Sequence, residues 1–254
     1  MFELATDIAL LLMLAAFIGG FIDSIAGGGG LITVPALLLA GVSPIEALAT
    51  NKLQGSFGSG TAALTYARAG HVRLSEQLPM AAISATAAAG GAMVAHLLSA
   101  ELLRIIMPVV LIAVAAFFAF RKGLSDQDRV QRMKPAVFAF TVVPAIAAYD
   151  GFFGPGTGSF FMMGFVLLAG YGILKATAHT KMLNFASNLG SLAVFIPSGS
   201  VLWAVGFGMA LTQTLGAWLG AKLAMRIGAR LIRPLLVVTS TAMALRLIWQ
   251  AVYG

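Results

Sequence analysis

The 254 residues contain no cysteine, which excludes disulfides and thiolate metal sites. Charge is scarce as well. Asp, Glu, Lys and Arg make up 10% of the chain, against about 25% in a soluble domain. So few charges cannot cover a globule of this size. The three histidines, His71, His96 and His179, are scattered, which speaks against a multi-histidine metal centre. No Ser-His-Asp or paired-carboxylate arrangement suggests an enzyme, and "AGGGGL" lacks the Lys-Ser/Thr ending of a phosphate loop. No cofactor and no metal are expected. A secretory leader is not read either: "MFELATDIALLL" places Glu3 and Asp7, not basic residues, before its apolar run. It is read as a retained membrane segment.

What the chain does have is apolar residues. They amount to 59%, with a mean hydropathy of +0.94, and point to an all-α polytopic membrane protein. The net charge of +7 sits mostly in short loops and reads as a topology signal rather than a nucleic-acid surface. Apolar stretches fall at about 8–22, 31–41, 45–67, 77–99 and 101–120. After the polar loop Arg121 to Lys134 they resume at about 135–149, 157–170, 173–197, 201–225 and 231–253. Crossing a bilayer takes about 20 helical residues. The runs beginning at Leu31 and Thr157 are too short, the first reaching roughly 16 Å. Each follows a glycine-rich break, "AGGGG" or "GPGTG". Short, glycine-interrupted segments at matching places in two halves point to a transporter binding site.

The halves match at an offset of 129 residues. Gly27 falls on Gly156, Gly29 on Gly158, Lys52 on Lys181 and Gly70 on Gly199, while Asp23 and Asp150 are 127 apart. We read an internal repeat: a first membrane repeat at 1–120, a cytoplasmic linker at 121–134 and a second at 135–254. Basic loops at Arg68–Arg73, Arg121–Lys134 and Lys222–Arg233 share one face if all ten stretches cross. They also share it if the short pairs only dip in. Either way the repeats of about five segments are inverted, and both termini are expected outside the cytoplasm.

The glycine breaks raise a chemical possibility. Backbone groups freed inside a membrane must be buried in protein or line a wet cavity. The first N–H groups of the helices that follow have no internal partner and, with the helix dipoles, suit an anion. Gly27, Gly28, Gly29 and Gly30 would supply one side, and Gly156, Thr157 and Gly158 the other. A side chain at Gly29 or Gly158 is then expected to block the site; the competing reading is tight helix packing. Lys52 and Lys181 are costly in apolar stretches. They bring Thr50, Asn51, Thr180, Asn184 and Asn188 with them, mostly donor groups that suit an anion better than sodium. Each lysine alternatively satisfies loop carbonyls or pairs with Asp23 or Asp150. Those two carboxylates read as loop caps or proton carriers. His179, whose repeat partner is Thr50, reads as a scaffold residue or a proton-coupling group.

The stretch "GGFIDSIAGGGGLITVPALLLAGVSPIEALATNKLQGSFGSGTAALTY", with "GFFGPGTGSFFMMGF" and "ATAHTKMLNFASNLGSL", resembles the TauE/SafE sulfite exporter family, the TSUP permeases. The resemblance spans nearly the whole chain. It implies an inner-membrane permease for small sulfur-containing anions: sulfite, thiosulfate, sulfoacetate or other organosulfonates. Export by alternating access is the leading expectation. A passive anion channel and a cation-coupled transporter are the competing ones. The expected partners are the bilayer and the small anion, with a homodimer left open.

Overall fold

The computed structural model describes residues 6–99, 101–103, 109, 127, 128 and 130–228. Among them the chain is all-helical. The helices are α1 (Thr6–Ala26), α2 (Gly30–Leu39), α3 (Pro44–Arg68), α4 (Leu74–Leu97), α5 (Pro135–Phe152), α6 (Thr157–Leu167), α7 (Ile173–Phe195) and α8 (Trp203–Ile227). The expected segments at 101–120 and 231–253 lie almost wholly outside the described residues. So do Glu3 and half of the loop at 121–134. The helices α1, α4 and α5 are long and apolar enough to span a membrane. The helices α2 and α6 have 10 and 11 residues, about 15 Å and 16 Å, as their lengths in sequence predict.

Helix starts repeat at the sequence offset. Thr6, Pro44 and Leu74 open α1, α3 and α4; Pro135, Ile173 and Trp203 open α5, α7 and α8. The turns repeat too. Gly41 and Gly170 both end short helices with φ near +80°, and Gly70 and Gly199 are likewise left-handed.

Packing joins the two sets rather than separating them. The helix α1 lies along α8, and α4 lies along α5 and α7; α3 contacts both α7 and α8. These seams are glycine-lined, as lipid-embedded helices require for close approach. A Cβ on Gly216 of α8 would stand 2.1 Å from the Phe17 carbonyl oxygen of α1, and one on Gly151 of α5 would stand 1.8 Å from that of Ala88 on α4. Exposed Leu10, Leu14, Phe140, Leu211 and Leu215 turn outward, toward lipid.

The polar stretch before α5 is clasped to the start of α7 through Asp128. Gly172 N–H donates to Asp128 Oδ1 at 2.6 Å, and Lys175 pairs with Asp128 Oδ2 at 3.3 Å. The Gly172 N–H above all, with help from Lys175, holds the Asp128 carboxyl below its ordinary range. A depressed carboxyl pKa stabilises the fold above the unfolded-state value, and that contribution fades as pH falls through the folded one. Asp128→Asn is therefore expected to lower the melting temperature slightly at neutral pH and not at the acid end. Melting curves of both proteins across that range check it.

Candidate functional site

The breaks between α1 and α2 and between α5 and α6 meet at the centre of the protein. Gly27 has φ +81°, and a Cβ there would lie 2.3 Å from Ser159 N and 2.4 Å from Gly158 C. Only glycine combines that backbone with that approach. Ser159 Oγ–H donates to the Ala26 carbonyl at 2.9 Å, tying the start of α6 to the end of α1.

The two buried lysines bind crosswise. Lys52 of α3 reaches the Asp150 carboxylate of α5 at 2.7 Å and also donates to the Asp150 carbonyl. Lys181 of α7 reaches the Asp23 carboxylate of α1 at 3.3 Å and donates to the Asp23 carbonyl. Each lysine side chain is 1% exposed. Each therefore neutralises a carboxylate and caps the negative end of a helix that stops inside the protein. Asp23 Oδ1 accepts Gly29 N–H at 3.2 Å, a loop-capping bond. The second oxygen of Asp150 accepts Ser187 Oγ–H at 2.5 Å.

Between the breaks lies a polar cavity of about 30 Å3, room for about two waters. A ligand that fits it is a few heavy atoms in size. Asp23 and Gly28 to Gly30 form one wall, Asp150 and Gly156 to Gly158 another, with Asn51, Asn184 and Asn188 from α3 and α7 between them. The starts of α2 and α6 thus border the same space. Among the described residues, the N–H groups of Gly30 and Gly158 have no hydrogen-bond acceptor. An N–H in the first turn points out of its helix start.

The structure distributes the sequence-predicted residues unevenly. Lys52 and Lys181 do not line the cavity; they stand behind its carboxylates. Gly27 is spent on packing against α6. Thr50 Oγ1 accepts the Leu202 N–H at 3.1 Å, away from the cavity. The Thr180 hydroxyl is buried without a partner among the described residues, and Thr180 does not line the cavity either. His179 is set apart, its ring 4.9 Å from that of Tyr171 and 5.7 Å from that of Phe165, with Nδ1 at 2.9 Å from the Lys175 carbonyl.

The glycines behave differently from a set of open ligands. A Cβ on Gly29 would meet the Gly19 carbonyl oxygen at 2.7 Å and Asp23 Cβ at 2.8 Å; one on Gly158 would meet Gly27 Cα at 3.0 Å. A side chain at either place displaces backbone before it obstructs the cavity, which corrects the expectation of simple blockage. Gly30 is the exception. It is helical, and a Cβ there would lie 3.3 Å from Pro155 Cα and 3.5 Å from Asn51 Nδ2. If the cavity takes a small anion, Gly30→Ala is expected to shift the melting temperature little, Pro155 giving by a few tenths of an ångström, while weakening the response to that anion at least tenfold. Thermal shift with and without the anion reads both.

Sequence reasoning missed three cavity residues: Gly55, Gly154 and Gln213. Gly55 offers no chemical signal. Gln213 does: an amide in the middle of the apolar run 201–225 is costly in a membrane and marks function.

Known proteins resemble this chain over nearly its whole length. The family model "Sulfite exporter TauE/SafE" matches residues 12–247. A "Probable membrane transporter protein ORF9" of Sinorhizobium sp is 56% identical over 97% of this chain and 94% of its own. The "Probable membrane transporter protein YfcA" of Escherichia coli (strain K12) is 44% identical over 94% of this chain and 89% of its own. A Haemophilus influenzae "Probable membrane transporter protein" is 40% identical over 98% and 97%. No solved structure matches the chain.

Proposed function

We propose a substrate and a transport cycle for this chain, which belongs to the sulfite exporter TauE/SafE family and is a multi-pass membrane transporter. The substrate is a small sulfur-containing oxyanion: by size sulfite or thiosulfate, with a larger organosulfonate such as sulfoacetate entering only as the cavity widens during the cycle. It sits in the central cavity between the starts of α2 and α6. The observation that carries this reading is the charge arrangement there. Both negative helix ends and both carboxylates are matched by Lys52 and Lys181. At the two positive helix ends Asp23 takes the Gly29 N–H and the Gly154 carbonyl takes the Thr157 N–H, while the Gly30 and Gly158 N–H groups have no acceptor among the described residues and remain for a ligand. The lysines thus act by removing the competing positive and negative charges from the balance, not by touching the anion.

The cycle is alternating access of two inverted repeats, 1–120 and 135–254, joined by a cytoplasmic linker. Rocking of one against the other exposes the cavity to each face of the inner membrane in turn. The termini lie on the extracytoplasmic side. Net export follows from an anion leaving a compartment that is electrically negative. Asp23 and Asp150 on the cavity wall favour proton or cation coupling as a second reading.

Proteoliposomes test the reading. Purified protein should take up sulfite with saturating kinetics and exchange labelled for unlabelled sulfite. Linear, non-saturating flux without exchange would make it a channel. No flux of any sulfur oxyanion would remove the substrate assignment.

A further inference from the structure

Several groups at the cavity hold hydrogen-bonding capacity that the described residues leave unused, and it is of both kinds. Asn51 Oδ1 accepts from Thr33 at 2.7 Å and from Gln54 at 2.9 Å, which fixes its amide and leaves Nδ2 as an idle donor. Asn184 Nδ2, 3.6 Å from the Cβ position of Gly158, is idle too. On the other side, Asn188 Nδ2 donates to the Asn184 carbonyl at 2.8 Å, leaving Asn188 Oδ1 as an idle acceptor. Gln213 of α8 is the least satisfied. It lines the cavity and is 4% exposed; Oε1 is buried without a donor and Nε2 is without an acceptor among the described residues, so no hydrogen bond fixes which end of the amide serves a ligand. Nearly every buried amide in a folded protein finds a partner. Its placement is held tightly: Gly58 of α3 lies against its amide and Gly20 of α1 against its main chain, with Cβ positions 2.6 Å and 2.4 Å away.

Acceptors at an anion site need explaining. A ligand that only accepts hydrogen bonds would satisfy Asn51, Asn184, the backbone N–H groups and Gln213 Nε2, yet leave the amide oxygens of Asn188 and Gln213 idle. It would also face the carboxylates of Asp23 on α1 and Asp150 on α5, on which Lys181 of α7 and Lys52 of α3 are already spent. The geometry points to an oxyanion that carries its own O–H or N–H donor: Asn188 Oδ1, joined by the otherwise unbonded Gln213 amide turned to present Oε1, forms the acceptor side of the cavity and selects such an anion over one of equal charge and shape that has none. This rests on the oxyanion reading of the cavity.

Sulfamate and methanesulfonate test it. Both are monoanions at neutral pH with the same sulfonate head; one carries an NH2 group where the other carries CH3. Calorimetry and thermal shift on the purified full chain should show sulfamate binding about tenfold or more tightly than methanesulfonate. Gln213→Met and Asn188→Ala should each erode that preference mainly by weakening sulfamate. Equal binding of the two anions, no binding of sulfamate, or a preference that survives in both variants overturns the proposal. The wild-type comparison stands even where a variant does not fold. Sulfite, added to the same wild-type samples, separates the two levels. If sulfite binds, the oxyanion reading survives the failure of donor selection; if none of the three binds, both fall.

Discussion

Lys52→Met should lower unfolding stability by about 3–5 kcal/mol and abolish transport, and Asp150→Leu in the same chain should return most of the lost stability but not the activity. The single change leaves a carboxylate buried in a membrane-embedded interior with its cation gone, and breaking a buried pair costs that much. It also strips the cap from the carbonyl of Asp150, near the end of α5. Replacing both partners by apolar groups removes the desolvation cost together with the attraction, which is often close to neutral. Lys181→Met with Asp23→Leu should behave the same way, with one difference. Asp23 also holds the Gly29 N–H, so its removal frees the first glycine loop and less stability should return. Denaturation curves of the four singles and two doubles, with transport assayed in parallel, check this. Single variants as stable as wild type would mean that the ion pairs contribute nothing to the fold.

Gly27→Ala should be worse than any change at the cavity wall, costing about 4 kcal/mol or more and yielding little folded protein. The residue is left-handed, and its Cβ would sit 2.3 Å from a main-chain nitrogen that belongs to another helix. Main chain cannot step aside as a side-chain tip can. Gly28→Ala makes a control: it has the same sign of φ, +91°, but its nearest neighbour is Leu31 Cδ1 at 3.3 Å. It should lose only the conformational part, about 1–2 kcal/mol. Folded yield and melting temperature of the two variants separate backbone strain from contact between the loops. If both lose the same amount, the contact with α6 is not what fixes Gly27.

The distribution of information between sequence and structure follows from the range of the interactions. The breaks before α2 and α6 were legible because glycine inside an apolar run is a local signal. The offset of 129 residues was legible because counting needs no geometry, and the starts of α1, α3 and α4 recur at it in α5, α7 and α8. The pairing of the lysines was not. Asp23 and Asp150 were both available to both lysines, and choosing requires knowing that α3 meets α5 and α7 meets α1, contacts 98 and 158 residues apart in the chain. The same limit explains why Lys52 and Lys181 looked like ligands: a buried lysine in an apolar segment has one sequence signature whether it faces substrate or a carboxylate. His179 reads as a proton-coupling candidate because imidazole titrates near neutral pH, but residue type does not say where a ring points, and the fold sets it beside Tyr171 and Phe165 rather than at the cavity. Gln213 was overlooked because it lies outside the repeat-matched motifs; its cost in an apolar helix was the signal to follow.

The crosswise ion pairs also constrain how the molecule is made. The ribosome delivers Lys52 98 residues before Asp150, about 5–20 seconds at ordinary elongation rates. Asp23 waits longer still for Lys181. Through that interval the nascent N-terminal helices hold one acid and one base whose partners are not yet made, and α1 lacks the α8 seam against which it will lie. The early segments must therefore stay in water-accessible or translocon-sheltered surroundings, or remain uncharged, until the later helices are threaded in. Tertiary closure is a late, whole-chain event, and a translation product stopped after residue 120 should be degraded rather than accumulate.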